Sequence, residues 1–210
     1  MGEFCLIHGG MAHFISLLLS FRAQLPIDEG GLNSPALFVD GGNSFNPYLV
    51  AELARSYGVD ARAALENIYV SRAFTAYQLS SLILKELGRF QEQVKAKAVI
   101  VSDVASLYLD RDLAKGDVED MFRMVCGKLL EVARRGAVVV ATYRAGRRCR
   151  RGLLLEALLF GYVNTVLRFD SSGSLVRFRL ERHPKLSPFA LDFSLVYPTL
   201  MDYVEGGGFG

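Results

Sequence analysis

No lysine occurs in this chain before Lys85, and no early glycine leads into a Gly-Lys-Ser or Gly-Lys-Thr run. That removes the standard phosphate loop, G-x-x-x-x-G-K-[ST], whose lysine and hydroxyl hold phosphate and magnesium. Cysteine is scarce: Cys5, Cys126 and Cys149 are odd in number, far apart and without a C-x-x-C pair. They argue against a disulfide framework or zinc cluster and suit a reducing compartment, so a cytoplasmic protein is expected. His8, His13 and His183 are too scattered to form a metal site. The most apolar run, "FISLLLSF", falls far short of the ~20 residues of a membrane span. No basic region precedes it as in a signal peptide, so neither a leader nor a membrane partner is expected. A net charge of +2 does not by itself imply a nucleic-acid partner. G-x-S-x-G, H-E-x-x-H and paired-carboxylate arrangements are absent, and no metal or cofactor is expected.

What the chain does have is an alternation of short apolar runs and amphipathic stretches. "FCLI" (4–7), "ALFVD" (36–40), "NIYVS" (67–71), "AVIVSD" (98–103) and "AVVVAT" (137–142) read as central strands buried on both faces. Residues 11–24, 47–57, 76–93 and 117–134 show helical spacing; Met121, Val125, Leu129 and Val132 form one stripe. Asn46 and Pro47 make a helix opening and Gly58 a stop. After residue 160 the pattern alternates, and Ser171–Ser174 signals an antiparallel hairpin. The expected fold is α/β, a mostly parallel sheet flanked by helices with a C-terminal antiparallel hairpin. One domain over 1–205 is expected, with 206–210 a flexible glycine-rich tail.

Three segments carry a family resemblance: "QLPIDEGG" (24–31), "ALFVDGGNSFNP" (36–47) and "NIYVSRAF" (67–74). With "VIVSDVASLY", "AVVVAT" and "VLRFDSSGSLVRFRLERHPKLSP" following in order, the chain resembles the ATPase core of the RadA/RecA-type recombinases. The likeness is greatest to archaeal RadA, its eukaryotic counterparts and their paralogues. It implies a RecA-like core acting in homologous recombination and DNA repair.

Each part of the ATPase machinery departs from the family pattern. Gly9 and Gly10 stand in the phosphate-loop region, and Ala12 and His13 occupy the Lys-Thr positions. A neutral imidazole offers one donor and little charge, so His13 reads as a helix-start histidine rather than a phosphate ligand. Gly42 replaces the glutamate that the family uses to activate water, and Asn46 replaces an arginine. Ser102 falls on the Walker B aspartate, with Asp103 one place late and facing the site only through a strand bulge. Tyr143–Arg144 replaces the polar sensor pair. The reading is a degenerate, non-catalytic nucleotide site. The alternative is a weak ATPase built from Asp40, Asp103 and His13.

The positive signal is "YRAGRRCRRG", in which Arg144, Arg147, Arg148, Arg150 and Arg151 place five charges where the family's second DNA loop emerges. Single-stranded DNA is the partner it implies, with Tyr143 and Arg168 as weaker additions. A solvated loop or a contact for an acidic protein are the other readings. "RDLAKGD" (111–117) reads as a connection, and Arg72, Phe74 and Gln78 as packing residues. Recombinase cores also pair by seating a neighbour's aromatic residue in an apolar groove. Leu37, Val39, Tyr69, Ser71 and Leu82 match that groove, although for Leu37, Val39 and Leu82 core filling is the favoured reading. The chain shows no upstream donor linker, so a recombinase or recombinase paralogue is the expected partner, with a small oligomer rather than a filament. The expectation is a pseudo-ATPase accessory; a purely structural subunit is the remaining alternative.

Overall fold

The computed structural model describes residues 2–143, 149–173 and 175–194. The strands are β1 (Phe4–His8), β2 (Ala36–Asp40), β3 (Ile68–Arg72), β4 (Ala98–Ser102), β5 (Val138–Tyr143), β6 (Thr165–Ser172), β7 (Leu175–Arg182) and β8 (Phe189–Ser194). They form a single sheet in the order β3-β2-β4-β5-β1-β6-β7-β8. Pairing is parallel from β3 through β6. It is antiparallel from β6 through β8, so the predicted hairpin is the start of a three-stranded meander. The α/β fold with a mostly parallel sheet is as the sequence indicates.

The helices are α1 (Ala12–Arg22), α2 (Pro47–Ser56), α3 (Ala61–Glu66), α4 (Ala76–Ser81), α5 (Leu87–Val94), α6 (Lys115–Arg134) and α7 (Arg150–Tyr162). A π-helical segment, Leu82–Glu86, joins α4 to α5. Alternate strand residues face opposite layers. Leu37, Val39, Val99 and Val101 pack with Ile83, Phe122 and Leu129 in one core. Ala36, Phe38, Ala98 and Ile100 pack with Leu17, Phe21 and Val50 in the other. Covering both faces is what makes these strands continuous apolar runs.

β3 departs from expectation. It is an edge strand, and Tyr69 and Val70 are exposed rather than buried. Asn46 caps α2 as predicted, accepting from Tyr48 N at 3.0 Å and Leu49 N at 3.2 Å. The predicted tail at 206–210 lies outside the described residues. Among the described residues no helix is long and apolar enough to cross a membrane. Nor does any group of three His, Cys, Asp or Glu converge as a metal site among them.

Candidate functional site

The carboxyl ends of β1, β2, β4 and β5 converge on a cavity of about 230 Å³, where open parallel sheets place their ligands. Gly9, Gly10, Ala12, His13, Gly42, Ser102 and Asp103 all line it, together with Ser44, Thr142 and Tyr143. The sequence-predicted nucleotide positions are therefore gathered in one place. Among the described lining residues there is no lysine or arginine, and Asp103 contributes a carboxylate. The volume also falls below the ~300–1,000 Å³ of typical small-molecule pockets.

The loop before α1 is closed by its own neighbours. Gly10 N donates to Asp170 Oδ1 at 3.2 Å, and Met11 N donates to Phe169 O at 3.0 Å. Gly9 has φ +100, and a Cβ there would sit 2.3 Å from Phe169 O, so only glycine admits this approach of β6. Amides that cradle phosphate in a nucleotide loop are here engaged by the protein itself.

The turn after β2 is fixed by Asp40, which is fully buried. It accepts from Ser44 N at 2.9 and 3.0 Å, Ser44 Oγ at 3.1 Å, Phe45 N at 3.0 Å and Arg72 Nε at 3.2 Å. Burial opposes its charge, but the Phe45 and Ser44 hydrogen bonds and Arg72 outweigh that and hold its carboxyl below the usual value. Asp40 is thus a turn anchor, its two oxygens engaged by Ser44, Phe45 and Arg72. Ser44 Oγ also meets Ser102 Oγ at 2.9 Å, so the Walker B position is tied to the turn. Sequence reasoning passed over Ser44, because a serine in a Gly-Asn-Ser turn carries no functional signature.

Asp103 reaches the cavity without the bulge that the sequence reading required. β4 ends at Ser102, and Asp103 then adopts a left-handed backbone, φ +53, that swings its side chain into the site. Its N–H donates to Thr142 Oγ1 at 2.8 Å. The side chain lies against Gly42: a Cβ at residue 42 would be 2.9 Å from Asp103 Cβ.

The arginine segment divides. Arg144, Arg147 and Arg148 lie outside the described residues. Arg150 is exposed at the first turn of α7. Arg151 corrects the sequence reading. Its guanidinium donates to Asp110 O and, at 2.8 Å, to Leu113 O, pinning the segment before α6 instead of presenting its charge to solvent. Tyr143 is buried, which rules it out as a base-stacking platform, and Arg168 is paired with Asp170 at 2.6 Å.

A second cavity, about 170 Å³, brings together Leu37, Val39, Tyr69, Ser71 and Leu82 at the β3 edge. Phe90 closes it, its ring meeting Tyr69 edge-on with centroids 5.5 Å apart. Leu37 and Val39 are also core residues, so the groove floor and the core are the same side chains. A larger open depression of about 1070 Å³ runs between α2 and α3, lined by Arg55, Asp60, Arg62 and Glu66 beside Tyr48 and Leu65, and it holds none of the sequence-predicted site residues.

A profile of the Rad51 family matches residues 1–139, which spans β1 through the start of β5 and all the lining residues of the first cavity except Thr142 and Tyr143. The chain belongs to the Rad51 family. Among curated relatives, a DNA repair protein RAD51 homolog B of Zea mays is 27% identical over 100 residues. A DNA repair protein RAD51 homolog of Solanum lycopersicum is 28% identical over 100 residues. These alignments cover 48% of this chain and 29% of each relative. Both relatives are plant proteins, and the likeness they support is to the Rad51 family at large rather than to the archaeal paralogue expected from the sequence. Within this Rad51-family chain, the cavity at the strand ends and the groove at β3 are the two places where the predicted site residues meet.

Proposed function

We propose that this chain is a non-catalytic Rad51-family accessory in recombination and DNA repair. It engages a recombinase through the β3 groove and single-stranded DNA through the arginine segment, and it hydrolyses no ATP. The observation that carries the reading is the engagement of the phosphate-loop amides by β6, in a cavity whose described lining holds no lysine or arginine. Phosphoryl transfer depends on placed positive charge and metal, and the described lining supplies no lysine or arginine to hold the phosphates. The relatives' description as DNA repair proteins supports the cellular setting, and Arg150 with the neighbouring arginines of the sequence supports the nucleic-acid role.

Two titrations test it. Isothermal calorimetry with magnesium and ATP should give no saturable heat; saturable binding overturns the non-catalytic reading. Fluorescence anisotropy on a labelled single-stranded oligonucleotide should show binding that weakens steeply with salt. Absence of any binding at low salt removes the DNA role and leaves the structural-subunit reading.

A further inference from the structure

We propose that two copies of this chain join through β8, edge to edge and antiparallel, about a two-fold axis at Leu191. β8 is the last strand of the described sheet, at the end opposite β3, so no described strand takes up the backbone groups on its outer side. Sheets ordinarily blunt such an edge with lysine, proline, a bulge or a very short strand. Phe189–Ser194 uses none of these: it is six residues long, has neither lysine nor proline, and pairs with β7 in continuous register. Its one charge, Asp192, is held by Arg177 of β7 through two hydrogen bonds of 2.8 Å. The face it shares with β7 is apolar. Val176 and Leu180 are buried there, whereas their β8 partners Phe193 and Phe189 stay 38% and 43% exposed, and Leu191, opposite Phe178, 55%. A ladder of rings, Phe169 to Phe178 at 5.0 Å and Phe178 to Phe189 at 5.6 Å, crosses the meander and stops at this open edge.

The sequence of β8 makes its own image the strand that fits this edge. Residues directly opposite in an antiparallel pair share a face, so copies related by an axis through the sheet meet odd with odd and even with even. An axis at Asp192 sets that carboxylate against its own copy, a like-charge contact. An axis at Ala190 or Phe193 pairs only residues 189–191 or 192–194. An axis at Leu191 pairs the whole of 189–193. Phe189 then meets Phe193 of the second copy on either side, Leu191 meets Leu191, and Ala190 meets Asp192. Every apolar side chain of the exposed row gains an apolar partner, and the ladder of rings continues into the second copy. Both β3 edges are left at the outer ends, so the pair presents two grooves. What those grooves bind has no bearing on the pairing itself. A six-residue strand pair is a small interface of the transient class, so the association depends on concentration.

Sedimentation velocity of the full chain from about 1 to 200 µM should show the monomer giving way to a species of twice 23.2 kDa. Leu191→Lys sets two ammonium groups at the axis and should weaken the dimer at least about tenfold, as changes at an interface centre do. Its melting temperature should stay near that of the wild type, because the side chain is exposed. Oxidative crosslinking then reads the register, in a Cys149→Ser background because Cys149 is exposed while Cys5 and Cys126 are buried. Opposite residues of an antiparallel pair lie about 4.5–5.5 Å apart at Cα, within reach of a disulfide. Leu191→Cys should therefore link to its own copy. Phe189→Cys and Phe193→Cys, each about 14 Å along the strands from its own image, should link only when the two variants are mixed. A chain that stays monomeric throughout, the result if another segment or another protein occupies β8, overturns the proposal. So does a dimer that survives Leu191→Lys, or one lost instead in Leu82→Lys, which would move self-association to the β3 groove. Crosslinking of Phe189→Cys or Phe193→Cys alone that equals Leu191→Cys overturns the axis.

Discussion

A methyl group added at Gly42 would lie 2.9 Å from Asp103 Cβ and 3.3 Å from its Oδ2, closer than real side chains pack. The two positions therefore share one volume, and a glutamate cannot return to residue 42 while Asp103 points inward. Gly42→Ala should cost about 1–3 kcal/mol by overpacking. Asp103→Gly removes the obstacle and supplies the residue most tolerant of φ +53. In the double variant most of the alanine cost should disappear, a coupling of about 0.5–3 kcal/mol measured by urea denaturation of all four proteins. Additive costs would show that the two side chains do not compete. The sequence shows Gly42 and Asp103 as two separate losses. Their dependence on each other appears only once the left-handed turn is known.

Asp40 adds a pH dependence at the same scale. Its folded-state pKa lies below the usual 3.8, so its contribution is complete above that value and is lost as pH falls through the lowered one. Asp40→Asn should be destabilised at neutral pH, and the gap from wild type should narrow as pH falls below about 4 in acid melts. A gap that stays constant from pH 7 to acid would show that the carboxylate charge is not what holds the turn.

At the scale of elements, Arg151 links two segments that the sequence treats as independent. It reaches from the start of α7 to the carbonyls of Asp110 and Leu113, just before α6. Arg151→Ala should speed amide hydrogen exchange in residues 110–115 at least several-fold, while Arg150→Ala leaves it unchanged. Equal exchange in both variants would return Arg151 to the solvent-facing set. Charge replacement aimed at DNA binding should accordingly use Arg147, Arg148 and Arg150. Removing three phosphate contacts should flatten the log–log salt slope by about 2 on single strands. A slope unchanged by the triple replacement would remove the arginine segment from the DNA interface.

Strands buried on both faces were legible because two helical layers leave every strand residue apolar, as in Phe38 and Ile100. α3 was not, since six residues with only Ala64 buried give no stripe. α7 was hidden because its apolar residues are spread around the helix and its first turn is arginine. β8 could have been found, as Phe189, Leu191 and Phe193 alternate with Ala190, Asp192 and Ser194. The groove positions were readable through the resemblance, and the cavity collected every one of them. Arg151 and the Gly10 contact of Asp170 were not readable, because the partner atoms there belong to the backbone, which leaves no trace in a residue alphabet.

Across the whole molecule, the groove sits at the β3 edge and the arginine segment follows β5. Three strand spacings separate β3 from β5, about 14 Å at ~4.8 Å each, beyond the range where substitutions usually couple. Leu82→Lys should weaken capture of a recombinase core without altering the DNA salt slope, and the arginine variant should do the reverse. Loss of both activities from either change would mean that the two surfaces act as one.

The bond between Gly10 and Asp170 also bears on how the chain fares in a starving cell. A protein that draws stability from a diffusible ligand loses it as that ligand is depleted, by RT ln(1 + [L]/Kd). A tethered carboxylate has no such concentration: it is supplied one per chain at synthesis and is never diluted. On the proposed nucleotide-free reading, the folded fraction of this chain should be indifferent to the adenylate pool, and thermal melts with and without ATP should coincide.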